Sequence, residues 1–176
     1  IIIIGGSQGA KIFDELLNKS FVSIAKQVSL KIIHQTSEKN INFLKKFYLK
    51  NNIESRVFSF DHNLNEVLKQ GDLCITRAGA SSLAELSLLN IPFVAIPLPS
   101  SKDNHQYENA KYYKEQDCCW VINQKDFDEQ KFRKFLLKLT NKGQDYMTKK
   151  NNLKKLNYQN TWNNVNQKIL EIINEN

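Results

Sequence analysis

A chain of 176 residues is one domain of ordinary size or one half of a two-lobed protein. Its 41% hydrophobic and 24% charged residues make a globular balance, which excludes disorder, collagen and coiled coil; no stretch approaches the roughly 20 apolar residues of a membrane helix. The net charge of +7 favours anionic partners such as nucleotides, nucleic acid or an acidic membrane surface, although a composition rich in Ile, Asn and Lys, as AT-rich coding gives, accounts for it equally well.

The chain opens on Ile1-Ile2-Ile3-Ile4 before Gly5-Gly6, the pattern of a buried strand entering a turn. That run is too short for a signal-peptide core, and a start inside a central strand leads us to expect a fragment with something missing upstream. Further short apolar runs follow at Leu30 to Ile33, Arg56 to Phe60, Leu73 to Thr76, Phe93 to Ile96 and Cys119 to Ile122. Between them lie amphipathic stretches: Lys11 to Gln27, Asn40 to Asn51, Leu64 to Lys69, Ser82 to Leu89 and Gln106 to Gln116. This alternation predicts an α/β fold, a doubly wound parallel sheet of Rossmann-like type with helices on both faces. After Ile122 only helices are expected, over Asp128 to Leu139, Tyr146 to Leu156 and Thr161 to Ile173, with Gly143 marking a break. Cys74, Cys118 and Cys119 are an odd count without CxxC or Cys/His spacing. That argues against zinc and for reduced, buried thiols in a cytosolic protein.

A doubly wound sheet commonly has the order 3-2-1-4-5-6 and binds ligands at the carboxyl ends of its strands, at the switch point. The loops after strands 1, 4 and 5 should therefore carry the chemistry. The first, Gly5-Gly6-Ser7-Gln8-Gly9-Ala10, has glycines for a tight turn and close approach, a helix start with free N–H groups, and a Ser7 hydroxyl. It reads as a phosphate cradle or a simple tight turn, and is neither GxGxxG nor a P-loop. The second, Arg77-Ala78-Gly79-Ala80-Ser81-Ser82-Leu83-Ala84-Glu85, allows two readings. Ser82-x-x-Glu85 fits a capping box, while a carboxylate near a nucleotide-binding helix start would grip a ribose diol. The third runs from Pro97 to Ala110; Gln106 and Asn109 share a helix face and their amides suit sugar hydroxyls. His105 is a general acid or base, a donor to phosphate, or a solvated loop histidine. Elsewhere, His34-Gln35-Thr36 suits a structural role. Phe60 is a base-stacking ring or a core residue, Tyr112 and Tyr113 are helix surface and core, and the Lys-rich stretch from Lys131 to Lys155 is a solvated face.

Together GGSQGA, HQT, RAGASSLAEL, IPLP and DNHQYENA, in this order and spacing, closely resemble the carboxyl-terminal half of the MurG family. These bacterial glycosyltransferases add N-acetylglucosamine to the lipid-linked muramyl-pentapeptide precursor of peptidoglycan. The resemblance covers essentially the whole chain and implies the donor-binding lobe, 1–176, of a two-lobed GT-B fold. Residues 158–176 would be a terminal helix packing towards the absent lobe. It implies that UDP-N-acetylglucosamine is the donor, with Ser7 and the turn of Gly6, Gln8 and Gly9 on the diphosphate. Glu85 would take the ribose hydroxyls, Gln106 and Asn109 the sugar, and His105 the diphosphate region. Phe60 and Asp61 would line the uracil pocket, and Arg77 and Ala80 border the sugar. Asp61 departs from the family's usual apolar residue, and Ser37 from the glycine that commonly follows HQT. The acceptor site, the membrane-touching apolar patch and the catalytic base belong to the amino-terminal lobe, so no catalytic residue is assigned here. The resemblance further implies a peripheral place on the cytoplasmic face of the inner membrane. No cofactor or metal is expected, since no DxD-like cluster lies near these loops. Two other classes stay open: the donor lobe of another GT-B UDP-sugar enzyme (a two-subunit N-acetylglucosaminyltransferase or an epimerase), and a non-enzymatic nucleotide- or RNA-binding module. No aromatic RNA-binding motif supports the latter, and no nucleic-acid partner is expected.

Overall fold

The structure, a computed structural model, describes residues 1–5, 11–159 and 162–174. Six strands, β1 (Ile2–Ile4), β2 (Lys31–Gln35), β3 (Glu54–Phe58), β4 (Cys74–Thr76), β5 (Phe93–Ala95) and β6 (Cys119–Val121), form one sheet in the order β3-β2-β1-β4-β5-β6. Every pairing is parallel. This is the expected doubly wound order, with the switch point between β1 and β4.

Helices cover both faces, so the central strands are apolar at consecutive positions. Side chains alternate across the sheet. Ile3, Ile75 and Val94 meet Phe13, Phe21, Ile24, Leu44, Tyr48 and Phe132 on one face. Those partners lie on α1 (Lys11–Leu16), α2 (Asn18–Ala25), α3 (Glu38–Lys50) and α7 (Glu129–Thr140). Ile2, Ile4, Cys74 and Phe93 meet Val67, Leu83, Leu86, Ala110 and Leu153 on the other. These lie on α4 (Leu64–Leu68), α5 (Ala80–Leu88), α6 (His105–Glu115) and α8 (Gln144–Gln159). A Cβ on Gly71 would collide with the Ile2 side chain, so the turn before β4 passes against β1 only as glycine.

Four boundaries differ from expectation in ways that matter for the site. The single helix expected over Lys11 to Gln27 is two, kinked at Leu17, because the Asn18 side chain donates to the Asp14 carbonyl and competes with the backbone ladder. β3 runs from Glu54 to Phe58, not Arg56 to Phe60, so Phe60 falls in the following loop. α5 begins at Ala80 with Gly79 as its N-cap. Ser82 and Glu85 are then the third and sixth helical residues, and the expected capping box does not exist. α6 likewise starts one residue early, at His105, after two left-handed residues, Asp103 (φ 50) and Asn104 (φ 55). Four helices, α3, α5, α6 and α7, stop just before a non-glycine residue of positive φ: Asn52, Asn90, Asp117 and Lys142. The chain closes with α9 (Trp162–Asn174). Among the described residues no helix is long and apolar enough to cross a membrane.

Candidate functional site

The crevice lies where β1, β4 and β5 end. Backbone N–H of Arg77 donates to the Ile4 carbonyl (3.2 Å), so the loop after β4 leaves the sheet beside the end of β1. From there side chains, rather than backbone, join the loops. Gln106 Oε1 accepts from the N–H of Leu98 (2.9 Å) and of Ala78 (3.3 Å). Asn109 Nδ2 donates to the Ala78 carbonyl (3.0 Å). Gln106 and Asn109 thus hold both polar groups of Ala78, and tie the loop after β4 to the loop after β5. Each amide binds the loops through one of its polar ends, Oε1 of Gln106 and Nδ2 of Asn109; among the described residues the other end is uncommitted.

Arg77 reaches under these loops. Its guanidinium donates to the carbonyls of Ile96 (3.0 Å) and Pro97 (3.2 Å) and to Gln124 Oε1 (2.8 Å). Phe13 presents its ring 4.9 Å away. Burial holds the guanidinium pKa below its ordinary value. Gln124 was not visible in the sequence as part of the site; it lies in the 3-10 turn Gln124–Asp126 after β6, and nothing in its surroundings distinguishes it. A cavity of about 300 Å³ opens between the loops after β5 and β6, lined in part by Leu98, Asn104, Tyr107 and Gln124.

Glu85 is half-buried on α5, and among the described residues its side chain has no recorded hydrogen bond. Ala80 is the first residue of that helix. His105 is exposed, and its Nδ1–H donates to the Lys102 carbonyl (2.7 Å), which leaves Nε2 outward. Phe60 is 69% exposed, edge-on to His62 with ring centroids 4.8 Å apart; the core-residue reading is therefore wrong, because the strand ends two residues earlier. Asp61 accepts from Arg56 (2.6 Å) and from the N–H of Asn63 (2.8 Å). It braces its own loop. Gly6, Ser7, Gln8 and Gly9 lie outside the described residues.

A polar node that the sequence did not disclose sits behind the crevice. Asp14 on α1 is 2% exposed. Its carboxylate accepts from Thr36 Oγ1 (2.7 Å) and Asn40 Nδ2 (2.6 Å), and lies 3.1 Å from His34 Nε2. The other nitrogen of His34 meets the Tyr48 hydroxyl at 2.7 Å. Burial pushes the Asp14 pKa up, but the bonds from His34, Thr36 and Asn40 outweigh it and hold the carboxyl below 3.8. Burial, with the Asp14 charge, raises Tyr48. The node fastens α1 to the end of β2, which gives the HQT segment the structural role expected of it. The available signal was an aspartate set among apolar residues on α1.

A second cavity, about 470 Å³, runs along the edge strand β6 beside Trp120, Phe132 and Phe135 and shares Asp126 with the first. The three cysteines are buried and free. Burial pushes Cys118 up to about 11 and Cys119 to about 12, so both stay protonated thiols and poor nucleophiles at neutral pH. Among the described residues no cluster of His, Cys, Asp and Glu could hold a metal ion.

The profile of the glycosyltransferase family 28 C-terminal domain matches residues 1–165. The whole chain is 47% identical to 49% of a protein from Pelagibacter ubique named UDP-N-acetylglucosamine--N-acetylmuramyl-(pentapeptide) pyrophosphoryl-undecaprenol N-acetylglucosamine transferase. A protein of the same name from Sulfurovum is 41% identical over 156 residues, 87% of this chain and 43% of its own length. The chain spans about half the length of the curated relatives it matches. The crystal structure of Acinetobacter baumannii MurG superimposes with a TM-score of 0.74 at 28% identity, over 85% of this chain and 44% of that one.

Proposed function

This chain belongs to the glycosyltransferase family 28 C-terminal domains, and from that membership we propose that it is the donor-binding lobe of a MurG-type enzyme. In this reading it holds UDP-N-acetylglucosamine for inverting transfer to an undecaprenyl-diphosphate-linked muramyl-pentapeptide. The loops after β4 and β5 meet at the switch-point crevice, and Gln106 and Asn109 bind these two together while keeping one polar end each for a sugar. That juxtaposition carries the reading.

The ligand's parts are divided by chemistry. Diphosphate goes to the glycine-rich segment with Ser7, where helix amides favour anions, and the uncommitted His105 Nε2 would serve the same group. The ribose diol goes to Glu85, whose carboxylate makes charge-assisted bonds to hydroxyls. The uracil goes to the loop of Phe60 and Asp61, where an exposed ring offers a stacking face. The donor sugar goes to Gln106 and Asn109, beside Ala80. The lobe's contribution to rate is orientation and stabilisation of the leaving UDP. Acceptor, membrane contact at the cytoplasmic face and the catalytic base are contributed by a second lobe. The exposed apolar residues of α9, Ile169, Leu170, Ile172 and Ile173, suit a contact with that lobe.

Titration calorimetry of the chain with UDP-N-acetylglucosamine, UDP-glucose and NAD tests this. We expect UDP-N-acetylglucosamine to bind, NAD not to bind, EDTA to change nothing, and no turnover of a lipid-linked acceptor. NAD binding above UDP-N-acetylglucosamine, or a tenfold loss of affinity in EDTA, overturns the reading.

A further inference from the structure

Arg77 is a buried cation without a counter-charge. The residue is only 9% exposed, and among the described residues no carboxylate pairs with it. Its hydrogen-bond acceptors, the carbonyls of Ile96 and Pro97 and the Gln124 amide oxygen, are all neutral dipoles, and Phe13 offers only a ring face. A guanidinium stays charged in a protein, so the charge is present and has been taken out of water. Such a charge is costly unless something of opposite sign completes it. The residue stands at the carboxyl end of β4, hydrogen-bonded through its N–H to the end of β1, which is the switch point of the sheet. There the proposed donor would bring its phosphates.

We propose that the bound diphosphate is the missing counter-charge of Arg77. The side chain does two things at once. It holds the loops after β5 and β6 in place through Ile96, Pro97 and Gln124, and it supplies a fixed positive field to the crevice from behind them. It need not touch the sugar. A field of this kind is preorganised, because the guanidinium is already locked by its three bonds before ligand arrives. It also strengthens as charge accumulates on the departing nucleoside diphosphate during transfer. Arg77 is accordingly a positioning and charge-completing residue, selective for ligands by the number of phosphates they carry.

The inference rests on the donor-site reading above, and its test separates the two. Affinities of the chain for uridine, UMP and UDP are measured for the unaltered protein, Arg77→Gln and Arg77→Lys. With Arg77→Gln we expect UDP affinity to fall about tenfold, as loss of one charge near the phosphates in a partly shielded site implies. UMP should lose less, and uridine little. Arg77→Lys keeps the charge and loses the fork of bonds, so the ratio of UDP to uridine affinity should stay near that of the unaltered chain. Equal losses for uridine and UDP in Arg77→Gln make Arg77 a loop brace alone and overturn the inference. If Arg77→Gln fails to fold, Arg77→Met, which keeps an apolar stem and removes the charge, is read in the same way. A fall in the ratio of UDP to uridine affinity supports the inference, and an unchanged ratio overturns it. Failure of the unaltered chain to bind UDP at all overturns the donor-site reading instead.

Discussion

Two aspartates stand near the same end of the sheet under opposite conditions. Asp14 is 2% exposed and is held by Thr36, Asn40 and His34, which lie 20 to 26 residues away in sequence. Asp61 is held by Arg56 and Asn63, within five residues of itself, with the Arg56 side chain 44% exposed. The first kind of node joins separate elements and forms only when the sheet is assembled. The second fixes one loop and is compatible with a chain that has folded nowhere else. The wall made by Gln106 and Asn109 is of the first kind, since its bonds to Ala78 also span about thirty residues. The crevice therefore has a wall tied into the global fold, whereas the loop after β3 is held locally.

The sharpest way to break this contrast is Asp14→Ala. It leaves the Thr36 and Asn40 donors without their acceptor, each at about 1–3 kcal/mol, and takes the carboxylate away from His34; urea unfolding of the chain measures the sum. Asp14→Asn adds a pH signature. The folded carboxyl titrates below 3.8, so the stability it contributes is complete above pH 3.8 and is lost as pH falls through the folded value. The stability gap between the unaltered chain and Asp14→Asn should be flat above that window and narrow below it. Next in size is Gln106→Leu, which strands the N–H of Ala78 and costs about 1–3 kcal/mol, with UDP-N-acetylglucosamine binding lost alongside. Glu85→Gln should leave the melting temperature alone, because Glu85 is the sixth residue of α5 and caps nothing. It should cost about 1–2 kcal/mol of UDP affinity as charged hydrogen bonds become neutral, and far less with 2′,3′-dideoxy-UDP; equal losses for both ligands would return Glu85 to a structural role. Smallest of all, Asp61→Ala should change stability by less than about 1 kcal/mol and respond to salt, as exposed pairs do. A cost for Asp61→Ala matching that of Asp14→Ala would erase the distinction.

The same contrast explains what could be read without coordinates. Strand order, the two-faced helix cover and the places of the loops after β4 and β5 follow from local periodicity and from the switch-point rule, and all were legible. So was the shared face of Gln106 and Asn109, which depends on spacing alone. The Asp14 node was not, because its members are unremarkable one at a time and meet only across α1, β2 and α3. Arg77 stood out in the loop after β4, but its engagement with Gln124 spans 47 residues and carries no local mark. Apart from the helix that breaks at Leu17, the errors were one or two residues of phase. Ending β3 at Phe60 instead of Phe58 left open a core role for a ring that stands in solvent. Starting α5 at Ser82 instead of Ala80 created a capping box that the helix does not have.

The helix stops with positive φ carry a consequence for how α8 is seated. Glycine would relieve the backbone at Asn90 and Asp117, yet both side chains are engaged with α8. Asn157 donates to Asn90 Oδ1 (3.1 Å), Asn152 donates to the Asp117 carbonyl (3.0 Å), and Lys149 pairs with the Asp117 carboxylate. Lys149, Asn152 and Asn157 therefore run along α8 like teeth, each caught by the terminus of another helix. A glycine at either stop would ease a local torsion and at the same time release a latch. The penalty of a left-handed asparagine or aspartate is thereby converted into registry: α8 cannot slide by a turn without unhooking from both α5 and α6. Stabilising this protein by glycine replacement, sound at a stop with no second engagement, would at these two positions exchange backbone ease for a loosened helix.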